Sequence, residues 1–143
     1  SDSRVPPELI FDRGLGDLFV VRTAGHVLDR VAVESMEYAV SHLGAPVVLV
    51  LAHSDCGAVT EAVSQRNASP PSVNRLVSEI LPAVEEASSL PGNLVANASK
   101  IHARRTVETL NSAFRALEAP QRSASLTTVP AYYDLETGLV EIL

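Results

Sequence analysis

The spacing of apolar residues along the first third of the chain predicts a strand, a helix and a second strand. Residues 17–23 are rich in β-branched and aromatic side chains, which is typical of a strand. Residues 27–43 repeat apolar positions at helical spacing and are followed by Gly44, which predicts a helix with a glycine stop. Residues 46–52 are apolar without alternation, which predicts a central parallel strand covered on both faces.

The same alternation continues through the rest of the chain. Three further helices are predicted, at residues 57–65, 73–87 and 94–117. Pro82 is expected to kink or interrupt the second of these helices, because proline lacks the N–H that an internal helical position donates. Segments 67–72 and 88–93 combine proline with serine and asparagine, which predicts loops.

Two strands are predicted to close the chain, at residues 126–133 and 139–143. They are joined by the sequence DLETG, in which Gly138 can adopt the positive φ of a tight turn. Strands that alternate with helices indicate an α/β fold with a mostly parallel central sheet flanked by helices. The closing pair is expected to form an antiparallel edge near the C-terminus, and the 143 residues fit a single domain.

Composition and charge exclude several classes of partner. The formal net charge of −6 argues against nucleic acid, because binding to phosphates needs clustered Lys and Arg side chains. No apolar run approaches the ~20 residues that span a bilayer, so no membrane contact is expected from this segment. One cysteine excludes an internal disulfide and suits a reducing compartment, which predicts a cytoplasmic location.

The first candidate for chemistry is the pair His53 and Cys56, which follows the predicted strand at 46–52. Ligands in α/β sheets bind beyond the carboxyl ends of the strands, where this pair lies. Imidazole nitrogen and cysteine thiolate are ligands that Zn²⁺ prefers. Gly57 opens the next predicted helix, whose N-terminus favours the thiolate. Two ligands are too few to define a zinc site. The alternative to metal binding is that His53 is a partly buried histidine and Cys56 an inert core cysteine.

A second candidate is the opening SDSR, in which Asp2 and Arg4 lie two residues apart on one side of an extended segment. A carboxylate beside a guanidinium stays ionised and is held rigidly. Such a group can accept a hydrogen bond from a metal-activated hydroxide. The alternative for this pair is an ordinary surface ion pair.

The remaining candidate residues carry weaker signals. Gly14 and Gly16 precede a predicted strand, whereas the dinucleotide-binding fingerprint needs glycines that follow one, so that interpretation fails. His42 and His102 lie on predicted helices and are expected to be solvated. His26 follows a glycine near a strand end and is a candidate for lining a site.

Two stretches of the chain closely resemble the signatures of the β-class carbonic anhydrases. They are SDSRVPPELIFDRGLGDLFVVRTAGH and VVLVLAHSDCGAV, and the ending AYYDLETGLVEIL is similar to the last strands of that family. The resemblance implies a lyase that uses Zn²⁺ to convert CO₂ reversibly to bicarbonate and a proton. It assigns His53 and Cys56 as zinc ligands, and Asp2 with Arg4 as the pair that orients the attacking hydroxide. It also implies a homodimer or a dimer of dimers.

The chain departs from the family at its first residue. The family signature reads Cys-x-Asp-x-Arg, and this chain begins one residue after the position of that cysteine. We therefore expect a truncated domain that lacks the first ligand, the strand leading into it and the N-terminal helices. Asp2 is then a possible substitute ligand, or the ligand of a closed state, and weak activity is expected from the chain alone. Four small residues are expected to form an apolar wall for CO₂: Val21, Ala24, Gly25 and Ala58.

Two other functions remain open at this stage. The same site could hydrolyse a sulfur analogue of CO₂. Alternatively, the chain could be a non-catalytic or zinc-deficient domain of a larger protein. The residue that precedes Ser1 and the metal content of the purified chain distinguish the second alternative from the enzyme.

Overall fold

The structure is a computed structural model that describes residues 1–68, 74–116 and 126–143. Within these residues the α-helices are α1 Pro7–Ile10, α2 Arg30–His42, α3 Gly57–Gln65, α4 Arg75–Ala87 and α5 Leu94–Ala116. The strands are β1 Val47–His53, β2 Thr127–Tyr133 and β3 Val140–Ile142, and a 3₁₀ turn spans Ala24–His26. The predicted α/β class is confirmed. Parts of the predictions at 67–72, 73–87 and 94–117 lie outside the described residues.

The three strands form one mixed sheet in the order β1-β2-β3. β1 and β2 are parallel over their full length, with Val47 opposite Thr127 and His53 opposite Tyr133. β2 and β3 are antiparallel, which confirms the predicted antiparallel edge near the C-terminus. Gly138 has φ +72° in the turn between them, as the sequence predicted.

The long helix α5 packs against both halves of the core. One cluster of buried side chains joins α5 to α3 and α4, and its fully buried members include Val59, Ile80, Val84 and Ala98. The other joins α5 to β1 and β2 and includes Val50, Ala52, Ala103, Leu110 and Tyr132. Burial of these apolar side chains supplies the main favourable free energy of folding. The sheet is thereby held with the carboxyl end of β1 beside the start of α3.

Two helix predictions need correction in detail. α2 begins at Arg30 instead of residue 27, because the Asp29 side chain accepts a hydrogen bond from the Ala32 N–H at 2.7 Å and caps the helix. α4 continues through Pro82 without interruption. Ile80, Ala83 and Val84 are fully buried on either side of this proline, so core packing maintains the helix where local propensity would end it.

Two strand predictions are also wrong. Residues 17–23 form neither a strand nor a helix, and β1 is an edge strand of the described sheet where the sequence predicted a central one. A strand needs a hydrogen-bonding neighbour, and no backbone hydrogen bond is found for Leu18–Val21 among the described residues. Both stretches instead line a cleft of about 1400 Å³.

No helix in the described part of the chain is long and apolar enough to cross a membrane.

Candidate active site and metal centre

His53 is the last residue of β1, at the carboxyl end of the parallel pair. Its Nδ1 lies 2.8 Å from the Ser54 carbonyl oxygen. Because a carbonyl oxygen only accepts hydrogen bonds, Nδ1 carries the proton and donates it to Ser54. This contact orients the ring and makes Nε2 the atom that can bind a metal.

Cys56 is the N-cap residue of α3 and is buried. Asp55, just before it, has φ +52°, a left-handed conformation that Asp tolerates better than most residues, and the chain reverses there between β1 and α3. This turn brings the thiol back toward the imidazole of His53. The spacing His-x-x-Cys thus folds into a pair of neighbouring side chains.

Electrostatics favours the ionised forms of this pair. Burial alone would raise the pKa of the Cys56 thiol, but hydrogen bonds from His53 and from the Val59 and Ala58 backbone outweigh it and lower the pKa. The hydrogen bond with Cys56 in turn raises the pKa of His53. A thiolate is the form of cysteine that binds metals, so the environment of Cys56 fits a metal ligand.

Asp2 is held by its neighbour Arg4 in a fork of hydrogen bonds. Arg4 Nη2 donates to Asp2 Oδ2 at 2.6 Å, Arg4 Nε donates to Asp2 Oδ1 at 3.0 Å, and the Arg4 backbone N–H donates to Oδ1 at 2.9 Å. These bonds hold the pKa of Asp2 well below its ordinary value. Arg4 Nη2 also donates to the Asp55 carbonyl at 3.1 Å, which ties the N-terminal segment to the turn before Cys56.

The structure brings the four candidate residues together: Asp2, His53 and Cys56 line the cleft, and Arg4 contacts Asp2. Asp2 Oδ2 lies 3.9 Å from His53 Nε2. The Arg22 side chain donates to the backbone oxygen of Asp2, and the Ser1 amino group donates to the Thr23 carbonyl at 3.5 Å. These two long-range contacts therefore tie the opening residues to Arg22 and Thr23.

The donor chemistry of this site fits zinc, with one imidazole nitrogen of fixed tautomer and one thiol of lowered pKa. Within residues 1–68, 74–116 and 126–143, no group of three or more His, Cys, Asp or Glu side chains is placed to hold a metal ion. Asp2 is turned toward Arg4 instead of completing such a group. The site thus presents two ligands and an adjacent carboxylate.

Small residues form the wall of the cleft beside this site, among them Val21, Ala24, Gly25 and Ala58. Gly25 has φ +57°, and a Cβ added there would lie 2.8 Å from Ile80 Cδ1 and 3.1 Å from Ala58 Cβ. Any larger residue at this position would be strained and would displace its neighbours. The wall of the cleft at Gly25 is therefore closely packed and apolar.

His102 is buried, and the prediction that it would be solvated is wrong. Its side chain is 6% exposed, and its ring centroid lies 4.6 Å from that of His26, which lines the cleft. The Nε2 atoms of both rings are shielded and have no hydrogen-bond partner among the described residues. Burial lowers the pKa of His26 well below its ordinary value and that of His102 to about 4.

The burial of His102 could have been predicted from the spacing of residues along its helix. Ala98 and Thr106 lie four residues before and after it, and all three are buried on the inner face of α5. His42, which was also predicted to be solvated, is exposed on α2.

Comparison with known proteins gives one consistent family. The protein-family model described as carbonic anhydrase matches residues 1–140. Carbonic anhydrase 2 of Mycobacterium tuberculosis is 39% identical over 141 residues, which cover 96% of this chain and 68% of the relative. The carbonic anhydrase of Mycolicibacterium smegmatis is 37% identical over 144 residues, which cover 99% of this chain and 70% of the relative.

Solved structures show the same fold. The β-carbonic anhydrase CafA of Aspergillus fumigatus has a TM-score of 0.84 at 26% identity, covering 100% of this chain and 71% of that one. The Coccomyxa β-carbonic anhydrase in complex with acetazolamide has a TM-score of 0.80 at 25% identity, covering 100% of this chain and 68% of that one. A tetrameric enzyme from Sordaria macrospora shares the fold with a TM-score of 0.74 at 21% identity, covering 100% of this chain and 76% of that one. The chain therefore belongs to the β-carbonic anhydrase family of enzymes.

Proposed function

We propose that the protein is a zinc-dependent lyase that converts CO₂ and water reversibly to bicarbonate and a proton. The observation that carries this proposal is the meeting of three groups at one end of the cleft. These are the imidazole of His53, the thiol of Cys56 and the carboxylate of Asp2 that Arg4 holds. Membership in a family whose relatives are named carbonic anhydrases supports the same reaction.

In this proposal His53 Nε2 and Cys56 Sγ hold the metal. We further propose that the whole protein supplies a third ligand, a cysteine immediately before Ser1, from the strand that leads into it. Asp2 is the substitute ligand when that cysteine is absent, or the ligand of a closed state. When bound, Zn²⁺ supplies a Lewis acid that lowers the pKa of a water molecule to about 7.

Asp2 positions the attacking oxygen. Its carboxylate accepts a hydrogen bond from that oxygen and so directs a lone pair toward the carbon of CO₂. Arg4 is the positioning residue that keeps Asp2 ionised, because its hydrogen bonds lower the pKa of the carboxyl group. A carboxylate that is ionised at neutral pH can only accept a hydrogen bond, which defines the orientation of the O–H group.

The wall of small apolar residues suits the substrate. CO₂ carries no charge, so close contact with apolar groups is the main means of holding it. Ala24, Gly25 and Ala58 line the same cleft as His53, and Gly25 packs closely against Ala58 and Ile80. The bicarbonate product is charged and polar, and it gains less from this wall than CO₂ does.

The test compares residues 1–143 with a chain extended upstream through a cysteine. We expect the extended chain to bind one zinc per subunit and to hydrate CO₂ rapidly in stopped-flow assays. The short chain should bind zinc weakly and remain near the uncatalysed rate. A zinc-loaded extended chain without activity, or robust activity from the short chain, would contradict the proposal.

We also propose a cytoplasmic location and assembly as a homodimer or a dimer of dimers. The single cysteine, which is free and buried, is compatible with a reducing compartment. The β3 edge supports assembly, because Leu139 and Ile142 are large apolar side chains that are mostly exposed there. Sedimentation of the short and extended chains tests the assembly, and we expect the short chain to associate less well.

A further inference from the structure

Ser54 follows His53 directly and connects it by hydrogen bonds to a distant part of the chain. The Ser54 backbone N–H donates to the Tyr133 carbonyl at 2.9 Å. Its Oγ accepts from the Leu135 N–H at 2.8 Å, and the Tyr132 side chain is a further hydrogen-bond partner of the Ser54 side chain. The Ser54 carbonyl oxygen lies 2.8 Å from His53 Nδ1. Ser54 therefore joins the imidazole of His53 to β2 and to the residues that follow it.

The turn that holds the Ser54 hydroxyl is braced by its own hydrogen bonds. This β2–β3 turn comprises residues 134–138, and Asp134 Oδ1 accepts from the backbone N–H groups of Glu136 and Thr137 at 3.0 and 2.8 Å. Both backbone groups of Asp134 are also hydrogen-bonded within the hairpin, each at 2.9 Å. An Asp side chain bonded to the backbone in this way restricts the conformation of a turn. The Leu135 N–H is therefore a donor of fixed position, 81 residues along the chain from Ser54.

The neutral imidazole of His53 carries one proton, and acceptors lie near both of its ring nitrogens. On the Nε2 side, Cys56 is within hydrogen-bond reach and Asp2 Oδ2 lies 3.9 Å away. On the Nδ1 side, the acceptor is the Ser54 carbonyl. A proton on Nε2 would occupy the lone pair that a metal needs, whereas a proton on Nδ1 leaves that lone pair free. The position of the Ser54 carbonyl therefore bears directly on which tautomer forms.

We propose that Ser54 is a positioning residue whose hydroxyl, anchored by the Leu135 N–H, holds the Ser54 carbonyl against His53 Nδ1 and so keeps His53 Nε2 free for a metal. The β2–β3 turn is thereby coupled to the metal centre through one side chain. Partners that orient a metal-binding histidine also strengthen metal binding, so loss of the anchor weakens it. The effect on metal binding rests on the proposed function, whereas the effect on the tautomer does not.

Substitution of Ser54 isolates the contribution of its hydroxyl. The hydrogen bond from the Ser54 N–H to the Tyr133 carbonyl belongs to the backbone, so Ser54→Ala retains it together with the pairing of β1 and β2. This variant removes only the acceptor that the Leu135 N–H uses. Ser54→Thr keeps a hydroxyl at the same position and is the conservative variant that should rescue the effect.

Nitrogen NMR of residues 1–143 with isotope-labelled histidine and no metal tests the tautomer. At a pH where the spectrum shows a neutral His53 ring, the unmodified protein should carry the proton on Nδ1. In Ser54→Ala the population with the proton on Nε2 should rise at least ~5-fold, since loss of one hydrogen bond is worth about 1 kcal/mol. Ser54→Thr should match the unmodified protein. The chain has four histidines, and the signals of the other three are internal controls that should not change: His26, His42 and His102.

A second variant removes the same hydrogen bond from its other end. Leu135 is the second residue of the β2–β3 turn, a position that proline often occupies, so Leu135→Pro deletes the N–H donor. It should raise the Nε2–H population of His53 as Ser54→Ala does, and the double variant should show no additional rise. Ser64→Ala is the matched control, because its hydroxyl donates to the Glu61 carbonyl, and it should leave the His53 signals unchanged.

Two results from NMR would overturn the proposal. The first is a His53 tautomer that is the same in Ser54→Ala as in the unmodified protein. The second is a change in all four histidines together, because Ser54 would then act only by maintaining the fold.

Zinc titration of the extended chain separates this proposal from the proposed function. Ser54→Ala should bind zinc at least ~10-fold more weakly than the unmodified extended chain, and Ser54→Thr should bind it equally well. If the tautomer of His53 changes as expected but the unmodified extended chain binds no zinc, the proposed function fails and the role of Ser54 stands. A changed tautomer with unchanged zinc affinity would overturn the role of Ser54 in metal binding.

Discussion

Asp2 Oδ2 lies 3.9 Å from His53 Nε2, and the same oxygen accepts a hydrogen bond from Arg4 Nη2 at 2.6 Å. The carboxylate thus faces the imidazole on one side and the guanidinium on the other. Because Arg4 balances its charge, Asp2 stays ionised next to the candidate metal ligand. This relationship separates two proposed tasks, with His53 holding the metal and Asp2 orienting the reactant.

Asp2→Asn tests the orienting task in an extended, zinc-loaded protein. An amide can present an N–H where an acceptor is needed, so we expect kcat/KM to fall at least ~100-fold. Zinc content should remain at one per subunit, because the variant leaves His53 and Cys56 intact. Asp12→Asn, at an exposed position outside the cleft lining, is the matched control and should keep full activity. Loss of zinc together with activity would instead make Asp2 a ligand.

Arg4→Ala tests the positioning of Asp2. Removal of the guanidinium abolishes the fork and the contact with the Asp55 carbonyl, so Asp2 loses its fixed orientation. We expect kcat to fall at least ~10-fold with zinc retained. Arg4→Lys keeps the charge without the planar fork and should recover only part of the rate. A rate for Arg4→Ala near that of the unmodified protein would remove this pair from the mechanism.

Cys56→Ser tests the metal assignment. A serine hydroxyl is not ionised near neutral pH and is a much poorer zinc ligand than a thiolate. Elemental analysis of the extended protein should show loss of stoichiometric zinc, while circular dichroism should show an unchanged fold. Ser64→Ala, which alters an exposed hydroxyl on the same helix, should retain zinc. Full zinc retention in Cys56→Ser would exclude Cys56 as a ligand.

The buried pair His26 and His102 predicts a loss of stability in acid. Burial lowers the pKa of both rings in the folded state, that of His102 to about 4, whereas an unfolded histidine has a pKa of about 6.5. The unfolded state therefore binds more protons below pH ~6.5, and the free energy of unfolding falls as the pH decreases from there toward ~4. For each histidine that stays neutral in the folded state, the free energy of unfolding falls by about 1.4 kcal/mol for each unit by which the pH decreases in that window.

Urea unfolding at several pH values measures this dependence. His102→Asn should flatten it, because asparagine does not titrate and its amide can replace the hydrogen bond between His102 and the Gly25 backbone. His42→Asn is the matched control at an exposed histidine that stacks on Tyr38, and it should keep the full dependence. If the free energy of unfolding of His102→Asn kept the same pH dependence as that of the unmodified protein, His102 would not be the source of the loss of stability in acid.

Local sequence patterns determined several features of this protein correctly. The glycine after Cys56 and the apolar spacing that follows predicted α3 with its observed bounds, Gly57–Gln65. The DLETG turn predicted the closing antiparallel pair, since only glycine readily adopts the positive φ observed at Gly138. His53 and Cys56 could be identified as a candidate pair because the end of a strand and the start of a helix are both encoded within a few residues.

Contacts between distant parts of the chain decided the rest. Residues 17–23 have strand composition, but a strand forms only beside a partner, and Leu18–Val21 have no backbone partner in the described structure. β1 has the composition of a central strand, yet in the described sheet it pairs only with β2 and lies at the edge. His102 is buried because α5 packs against the rest of the core along the face that carries it. The approach of Asp2 to His53, 51 residues away, depends on Arg4 and Arg22 joining segments that no local pattern relates.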